Sequence, residues 1–203
     1  LLRPLDCLEG NPRPYVVKGL VARGDVAILA GQPGAGKSVL APHICYGVAQ
    51  GREILGRRVR QERILYLAPE DGAGMQMRVR ALFQRHGDAP DFMLVPDALD
   101  LRDPASPDLS SVEALVQEFQ PALIVVDSVA RAFPGLKENE SEEMGRVVTV
   151  ARGLTAICGA AVLLLHHLPK DGTTPRGHGS LNGDADVTLI VEGQGGDPRM
   201  VTM

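Results

Sequence analysis

The sequence predicts an α/β fold in which a mostly parallel central sheet is covered by helices on both faces. Short runs that are apolar at every position alternate along the chain with longer segments of helical character. Such uninterrupted runs are typical of strands buried on both faces, and parallel sheets are built from strands of this kind. The length of 203 residues and the hydrophobic content of 44% suit one domain with a sizeable core.

Three pairs of strand and helix are predicted in the first half of the core. Residues 26–30 form an apolar run directly after Gly24-Asp25, and glycines at 51 and 87 predict where the first two helices end. Ser110 or Ser111 can cap the third helix. The elements predicted in this half are strand 26–30, helix 37–50, strand 64–68, helix 75–86, strand 92–95 and a helix that ends near Phe119.

The second half begins with the most apolar strand so far and ends with two late strands. Residues 168–180 are rich in Gly, Pro and Thr and lack apolar periodicity, which indicates a loop. A Gly-rich turn predicts that the last two strands follow each other directly. The elements predicted in this half are strand 122–127, helix 141–158, strand 161–166, strand 187–191 and strand 199–203.

Two parts of the chain are expected to differ in regularity. Residues 1–24 contain Pro4, Pro12 and Pro14, and they are predicted to be an irregular lead-in that packs on the core. Residues 25–203 are predicted to form the core itself. Because the sequence starts without methionine and stops inside a predicted strand, we expect it to be an excerpt from a longer polypeptide that is truncated at the C-terminus.

Charge and composition exclude several classes of protein. The chain has 21 basic and 25 acidic residues, a net charge of -4, so it is not a basic module that holds nucleic acid by bulk electrostatics. No apolar stretch approaches the roughly 18 residues that span a bilayer, so we expect no membrane partner and a cytoplasmic location. Cys7, Cys45 and Cys158 lack metal or disulfide spacing and are expected to be small buried hydrophobes.

Residues 31–38 read GQPGAGKS and match the phosphate-binding pattern GxxxxGK[ST] between a predicted strand and a predicted helix. Glycines let backbone N–H groups face phosphate oxygens, and the helix N-terminus favours negative charge. Lys37 is a compact cation for the β and γ phosphates, and the Ser38 hydroxyl can ligate Mg²⁺. A chance match is the alternative, for which composition gives roughly 0.003 expected occurrences. The predicted nucleotide-binding residues are Gly31, Gln32, Pro33, Gly34, Ala35, Gly36, Lys37, Ser38 and Val39.

Two carboxylates follow predicted strands at the edge where open parallel sheets bind ligands. Asp127 ends the fourth predicted strand and suits a Mg²⁺-binding role, although a strand-end aspartate can also cap a turn with Ser128. Glu70 follows the second strand and can orient and deprotonate an attacking water. Asp71 directly follows Glu70. The alternative for these two adjacent acidic residues is that they cap the next helix, a role that suits Asp71 better than Glu70.

His166 and His167 end the fifth predicted strand at the same edge. Either imidazole could hydrogen bond the γ-phosphate of a nucleotide and report its presence to the loop that follows. Because successive side chains of a strand point to opposite faces, at most one of the two is expected to face the nucleotide.

Together these segments resemble the RecA-like P-loop ATPases, and within them the hexameric replicative helicases of the plasmid RepA type. The stretch GSLNGDADVTLIVE at 179–192 is also similar to the corresponding part of DnaB-like helicases. The resemblance extends from about residue 15 to the end of the chain. The matching segments are GQPGAGKS at 31–38, ILYLAPED at 64–71, LIVVDS at 123–128, LLLHH at 163–167 and PRGHGS at 175–180.

The resemblance implies a RecA-like fold that uses ATP and Mg²⁺ as cofactors. It implies these roles in catalysis: Lys37 and Ser38 at phosphate and metal, Glu70 as base, Asp127 as the Walker B residue, and His166 or His167 as γ-phosphate sensor. It also implies a homo-oligomeric, hexameric ring around single-stranded DNA, in which Arg176 acts on the nucleotide of the neighbouring subunit. Lys170 and His178 would contact DNA phosphates in the same loop; the alternative is an ordinary solvated loop.

Three functions stay open at this point. The leading one is an ATP-driven replicative DNA helicase that translocates on single-stranded DNA. The second is a RecA- or KaiC-like regulatory or recombination ATPase without unwinding activity. The third is a P-loop kinase, which predicts a mobile lid with several arginines, whereas residues 168–180 contain only Arg176.

Overall fold

The computed structural model describes residues 14–137, 140–168, 184–194 and 197–202. Strands and helices alternate through most of this length. The described elements are β1 (Tyr15–Val17), β2 (Val21–Ala22), β3 (Val26–Gly31), α1 (Lys37–Ala49), β4 (Ile64–Leu67), α2 (Gly72–His86), β5 (Phe92–Val95), α3 (Pro107–Phe119), β6 (Leu123–Val126), α4 (Val129–Ala132), α5 (Ser141–Cys158), β7 (Ala161–His167), β8 (Val187–Gln194) and β9 (Asp197–Thr202).

The central sheet confirms the predicted fold class. Within the described residues it has seven strands in the order β5-β4-β6-β7-β3-β8-β9. Six of these strands run parallel, and β9 pairs antiparallel with β8 at one edge. The strand that precedes the GQPGAGKS segment, β3, therefore lies between two strands from the last quarter of the chain.

Each face of the sheet carries its own apolar core, because alternate residues of every buried strand point to opposite faces. Ala27 and Leu29 of β3 belong to the cluster that also holds side chains of α1 and α2. Their neighbours Val26 and Ile28 belong to the cluster that contains side chains of α3, α4 and α5. We call these the α1 face and the α5 face. The predicted cover of helices on both faces is therefore present.

Several element boundaries differ from the sequence-based expectation. Helix α3 begins at Pro107, because the Ser106 side chain caps it by accepting a hydrogen bond from the Asp108 N–H at 3.1 Å. Helix α2 begins at Gly72, where Asp71 is the cap. Helix α4 was not predicted, and strands β8 and β9 are both longer than expected toward the turn between them.

The described part of the lead-in is more regular than predicted. Strands β1 and β2 pair antiparallel across residues 15–22, and Val16, Val17, Leu20 and Val21 are buried in the α1-face cluster. Residues 1–13, which include Cys7, lie outside the described part of the chain. Cys45 is buried as predicted, whereas Cys158 is only partly buried. Among the described helices, none is long and apolar enough to cross a membrane.

Candidate nucleotide-binding site

Four strands that are neighbours in the sheet bring the predicted site residues to one edge. The parallel order β4-β6-β7-β3 places the carboxyl ends of these strands side by side. Glu70 follows β4, Asp127 follows β6, His167 ends β7, and Lys37 begins the helix after β3. The residues come from segments as far apart as 37 and 167, so the site exists only when the sheet is assembled.

The segment between β3 and α1 depends on glycine at specific positions. Gly34 and Gly36 have φ angles of 81° and 95°, a left-handed conformation that favours glycine. A Cβ on Gly31 would lie 2.6 Å from the carbonyl oxygen of Val191 on the adjacent strand β8, which excludes any side chain. The backbone therefore makes the tight turn that the motif predicts, in which backbone N–H groups can face the oxygens of a bound phosphate. Val39, one position after Ser38, is 64% exposed beside this turn.

Lys37 is buried at the centre of the site. Its side chain is held within the phosphate-binding loop, where Nζ donates to the carbonyl oxygens of Gly31 at 2.8 Å and Gln32 at 3.1 Å. The same Nζ lies 3.1 Å from Nδ1 of His167. Burial lowers the pKa of Lys37, while the nearby charges of Asp127 and Glu70 oppose that shift. The ammonium group can exchange these neutral acceptors for phosphate oxygens, which would satisfy its charge better.

Asp127 is a buried carboxylate with a different hydroxyl on each oxygen. Ser38 Oγ donates to Oδ1 at 3.1 Å, and the Tyr66 hydroxyl donates to Oδ2 at 2.8 Å. Burial raises the pKa of Asp127, and the hydrogen bonds from Tyr66 and Ser38 act in the opposite direction. Asp127 is only 4% exposed.

The pair of Ser38 and Asp127 fits Mg²⁺. Both supply oxygen atoms, the ligands that Mg²⁺ prefers, and one carboxylate is enough when phosphates and water complete the octahedron. Among the described residues, no group of three or more His, Cys, Asp or Glu residues that could hold a metal occurs.

Glu70 and Asp71 have separate roles in the structure. Asp71 caps α2 by accepting from the Gly74 N–H at 2.9 Å and also bonds Arg78. Glu70 takes no part in the cap: its Oε2 accepts a hydrogen bond from Ser128 Oγ and lies 3.8 Å from Nε2 of His167. The structure thus assigns capping to one acidic residue and leaves the other beside the phosphate-binding loop.

The two histidines lie on opposite faces of the sheet. Leu163 and Leu165 belong to the α1-face cluster, and the alternation of β7 places His167 on that same face. His166 follows Leu164 on the α5 face and is 3% exposed. His167 contacts Lys37 and approaches Glu70, so the structure brings His167 to the site, whereas His166 lies on the opposite face.

Two hydroxyl residues at the site were not predicted from the sequence. Tyr66 lies in an otherwise aliphatic strand, and Ser128 was considered only as part of a turn. Both bond a predicted carboxylate, Asp127 and Glu70 respectively. Three other residues to which the resemblance gave a role lie outside the described part of the chain, namely Lys170, Arg176 and His178.

The chain is similar to several characterised proteins. The family model described as AAA domain matches residues 4–173. The DNA repair protein RadA of Mycobacterium tuberculosis is 34% identical over 190 residues, which cover 92% of this chain and 36% of RadA. RadA of Escherichia coli is 27% identical over 191 residues, which cover 93% of this chain and 36% of RadA. The chain thus spans about a third of the length of these relatives.

A solved structure supports the fold. A KaiC-like protein from the archaeon Pyrococcus horikoshii superposes with a TM-score of 0.64 at 16% identity, covering 95% of this chain and 87% of that chain. These comparisons support the predicted RecA-like class, whereas the narrower resemblance to RepA- or DnaB-like helicases is not confirmed by them. Because the family model matches residues 4–173, which is most of the chain, and the phosphate-binding loop is in place, the chain belongs to the AAA domain family and has a RecA-like P-loop fold.

Proposed function

We propose that this chain is the Mg²⁺-dependent ATP-hydrolysing core of a DNA recombination or repair protein. The observation that carries the proposal is the convergence of Lys37, Ser38, Asp127 and Glu70 at one edge of four adjacent strands. RadA, the relative at 34% identity, is named a DNA repair protein, which supports the choice of DNA process.

The residues divide the work of phosphoryl transfer as follows. Ser38 and Asp127 would hold Mg²⁺, which would neutralise the negative charge that develops on the phosphates during transfer. Lys37 exchanges its contacts with the Gly31 and Gln32 carbonyls for oxygens of the β and γ phosphates. Glu70 orients the attacking water and accepts its proton, and the Ser128 hydroxyl keeps the carboxylate directed toward the site.

His167 is suited to sense the γ-phosphate. Its Nδ1 lies 3.1 Å from Lys37 Nζ, and its Nε2 lies 3.8 Å from a carboxylate oxygen of Glu70. When Lys37 turns toward phosphate, Nδ1 loses that neighbour, so the imidazole can reorient together with the start of the loop after β7. We therefore assign the sensor role to His167 rather than to His166.

Assembly and DNA binding are part of the same proposal. Because the net charge of the chain is -4, it must contact single-stranded DNA locally, and repeating a few cations around a homo-oligomeric, hexameric ring would replace bulk charge by avidity. Arg176 is proposed to act on the nucleotide of the adjacent subunit. Sedimentation with and without Mg-ATP and single-stranded DNA tests this; a monomer under all conditions would contradict it.

The hydrolysis assignment is tested with Glu70→Gln. The amide keeps the shape of the side chain but cannot accept the proton of water, so we expect ATP turnover to fall by about 100-fold or more with ATP affinity retained. Glu53→Gln, at an exposed glutamate after α1, is the matched control and should leave turnover unchanged. Normal turnover in Glu70→Gln would show that another group is the base.

A replicative helicase is the second candidate, favoured by the resemblance of the segments at 64–71, 123–128 and 163–167 to RepA-type helicases. The two functions differ in strand displacement. ATP hydrolysis that is stimulated by DNA but displaces no strand from a forked duplex supports the repair ATPase, whereas ATP-dependent displacement by the chain in its full-length context supports the helicase.

A further inference from the structure

We propose that Tyr66 is a positioning residue that fixes the orientation of the Asp127 carboxylate so that one of its oxygens faces Mg²⁺. The inference rests on the proposed function, because it concerns the metal that accompanies ATP. Its basis is the hydrogen bond of 2.8 Å from the Tyr66 hydroxyl to Asp127 Oδ2, deep in the sheet.

The two oxygens of Asp127 are not equivalent. Oδ2 accepts from Tyr66, which is fully buried, whereas Oδ1 accepts from Ser38, the residue that follows Lys37 in the phosphate-binding loop. With Oδ2 occupied from within the core, Oδ1 is the oxygen directed toward the loop. Ser38 Oγ and Asp127 Oδ1 then lie 3.1 Å apart. This is close enough for both atoms to bind one octahedral Mg²⁺ at neighbouring positions.

Tyr66 is itself held in place by the strands around it. Tyr66 belongs to β4, which pairs in parallel with β6, and the Asp127 N–H donates to the Leu67 carbonyl oxygen at 2.9 Å. The Tyr66 ring packs at 5.9 Å from that of Phe92 on β5, on the other side of β4. The hydroxyl therefore has little freedom to leave the carboxylate.

A carboxylate needs such a restraint because its terminal torsion has no sharp preference. The χ2 angle of aspartate is broad, so the plane of the carboxylate could rotate and turn its oxygens away from the phosphate-binding loop. A donor bonded to one oxygen removes this freedom, and hydrogen bonds to charged groups are the stronger ones. Because Asp127 is 4% exposed, solvent cannot easily provide a replacement donor.

Tyr66→Phe removes the hydroxyl and keeps the ring, and Tyr46→Phe is a closely matched control. Tyr46 is also buried, also packs on Phe92, and donates a hydrogen bond of 2.7 Å, but its acceptor is the backbone oxygen of Gly87. Both variants lose one hydroxyl from the same aromatic cluster. Only Tyr66→Phe alters the neighbourhood of Asp127.

The test measures binding of fluorescent ATP across a Mg²⁺ titration and in EDTA. For Tyr66→Phe we expect the Mg²⁺ concentration at half-maximal effect to rise about tenfold, with binding in EDTA unchanged. Tyr46→Phe should behave as wild type in both. A folded Tyr66→Phe variant with the wild-type Mg²⁺ dependence overturns the inference. Failure of the wild-type chain to bind ATP at all would instead overturn the proposed function.

A second measurement needs no substitution of Tyr66 by another amino acid. The chain has three tyrosines, so 3-fluorotyrosine labelling gives three ¹⁹F resonances, and Tyr15→Phe and Tyr46→Phe assign the third by elimination. Adding Mg²⁺ to the ADP complex should shift the Tyr66 resonance and leave that of Tyr46 in place. An unchanged Tyr66 resonance would contradict contact between its hydroxyl and a metal-facing carboxylate.

Discussion

The two ends of α1 hold polar side chains that serve different purposes. At the start of the helix, Lys37 and Ser38 contact the side chains of His167 and Asp127. At the other end, Tyr46 and Gln50 donate to backbone carbonyl oxygens where α2 ends. Lys37 and Ser38 lie at the phosphate-binding loop and can exchange partners when a ligand arrives, whereas Tyr46 and Gln50 join α1 to the end of α2.

The two ends also differ in how burial affects stability. Burial lowers the pKa of Lys37 and raises that of Asp127, so the folded environment disfavours the charged form of each. At the far end the groups are neutral, and their hydrogen bonds satisfy carbonyls that a helix terminus leaves free. Groups that bind ligand and groups that stabilise the fold are thus separated along one helix. Substitutions at the start of α1 should change ATP binding, and substitutions at its end should change the free energy of unfolding.

The largest expected effect is on ligand binding and comes from Lys37→Ala. Loss of the ammonium should weaken ATP binding by about 100-fold or more, since a charge-assisted contact with phosphate disappears. The melting temperature should not fall, because the variant also removes a buried charge. Calorimetric titration and thermal unfolding test both parts, with the exposed Lys137→Ala as control. Near wild-type affinity would refute the assignment of Lys37.

Ser128→Ala should have the next largest effect. The hydroxyl of Ser128 bonds Oε2 of Glu70, so its loss frees the proposed base and should lower turnover by roughly 10-fold, with ATP affinity unchanged. Steady-state kinetics supply the test. Ser111→Ala, which removes a hydroxyl bonded only to the Pro107 carbonyl in α3, should leave turnover intact. Equal losses in the two variants would argue against a positioning role.

Gln50→Ala examines the opposite end of α1. The Gln50 side-chain amide donates to His86 O and Asp88 O, each at 2.9 Å, so we expect a loss of roughly 1–3 kcal/mol in unfolding free energy. ATP affinity should stay the same. Urea unfolding measures the change, with Gln61→Ala at an exposed amide for comparison. A change in ATP affinity without a loss of stability would break the contrast between the two ends.

The smallest expected effect is a dependence of stability on pH through Asp127. A carboxyl whose pKa is raised on folding contributes stability that is present below its ordinary value of 3.8 and is lost as pH rises through the folded value. Asp127→Asn should therefore gain stability relative to wild type at neutral pH, and the gain should shrink as pH falls toward 3.8. Unfolding curves across this range test the sign; a gain that grows on acidification contradicts it.

The sequence predicted the fold and the principal site residues because both follow local patterns. Each buried strand is an unbroken apolar run, and a polar residue directly after such a run marks the carboxyl edge, which identified Glu70 and Asp127. The start of α3 at Pro107 was missed because Ser110 or Ser111 was expected to cap the helix, whereas the cap is Ser106 and proline is favoured at a helix start.

The contacts of Tyr66 and Ser128 could not be predicted because they depend on sheet order. Tyr66 reaches Asp127 only since β4 neighbours β6, and those strands are more than 50 positions apart in the sequence. To predict that His167 rather than His166 faces the site, one must know on which face of the sheet α1 packs, as well as the alternation of side chains along β7. Alternation alone limits the choice to one histidine and does not say which.

The position of β3 in the sheet has a consequence for how the protein is made. This strand is synthesised among the first described elements, yet its two neighbours are β7 at Ala161–His167 and β8 at Val187–Gln194. Neither edge of β3 can be paired until at least 130 later residues have left the ribosome. During that interval a fully apolar strand is exposed to aggregation, and contacts of such long range form slowly. Competence to bind nucleotide should therefore appear only after β7 and β8 have been synthesised, long after the phosphate-binding loop itself.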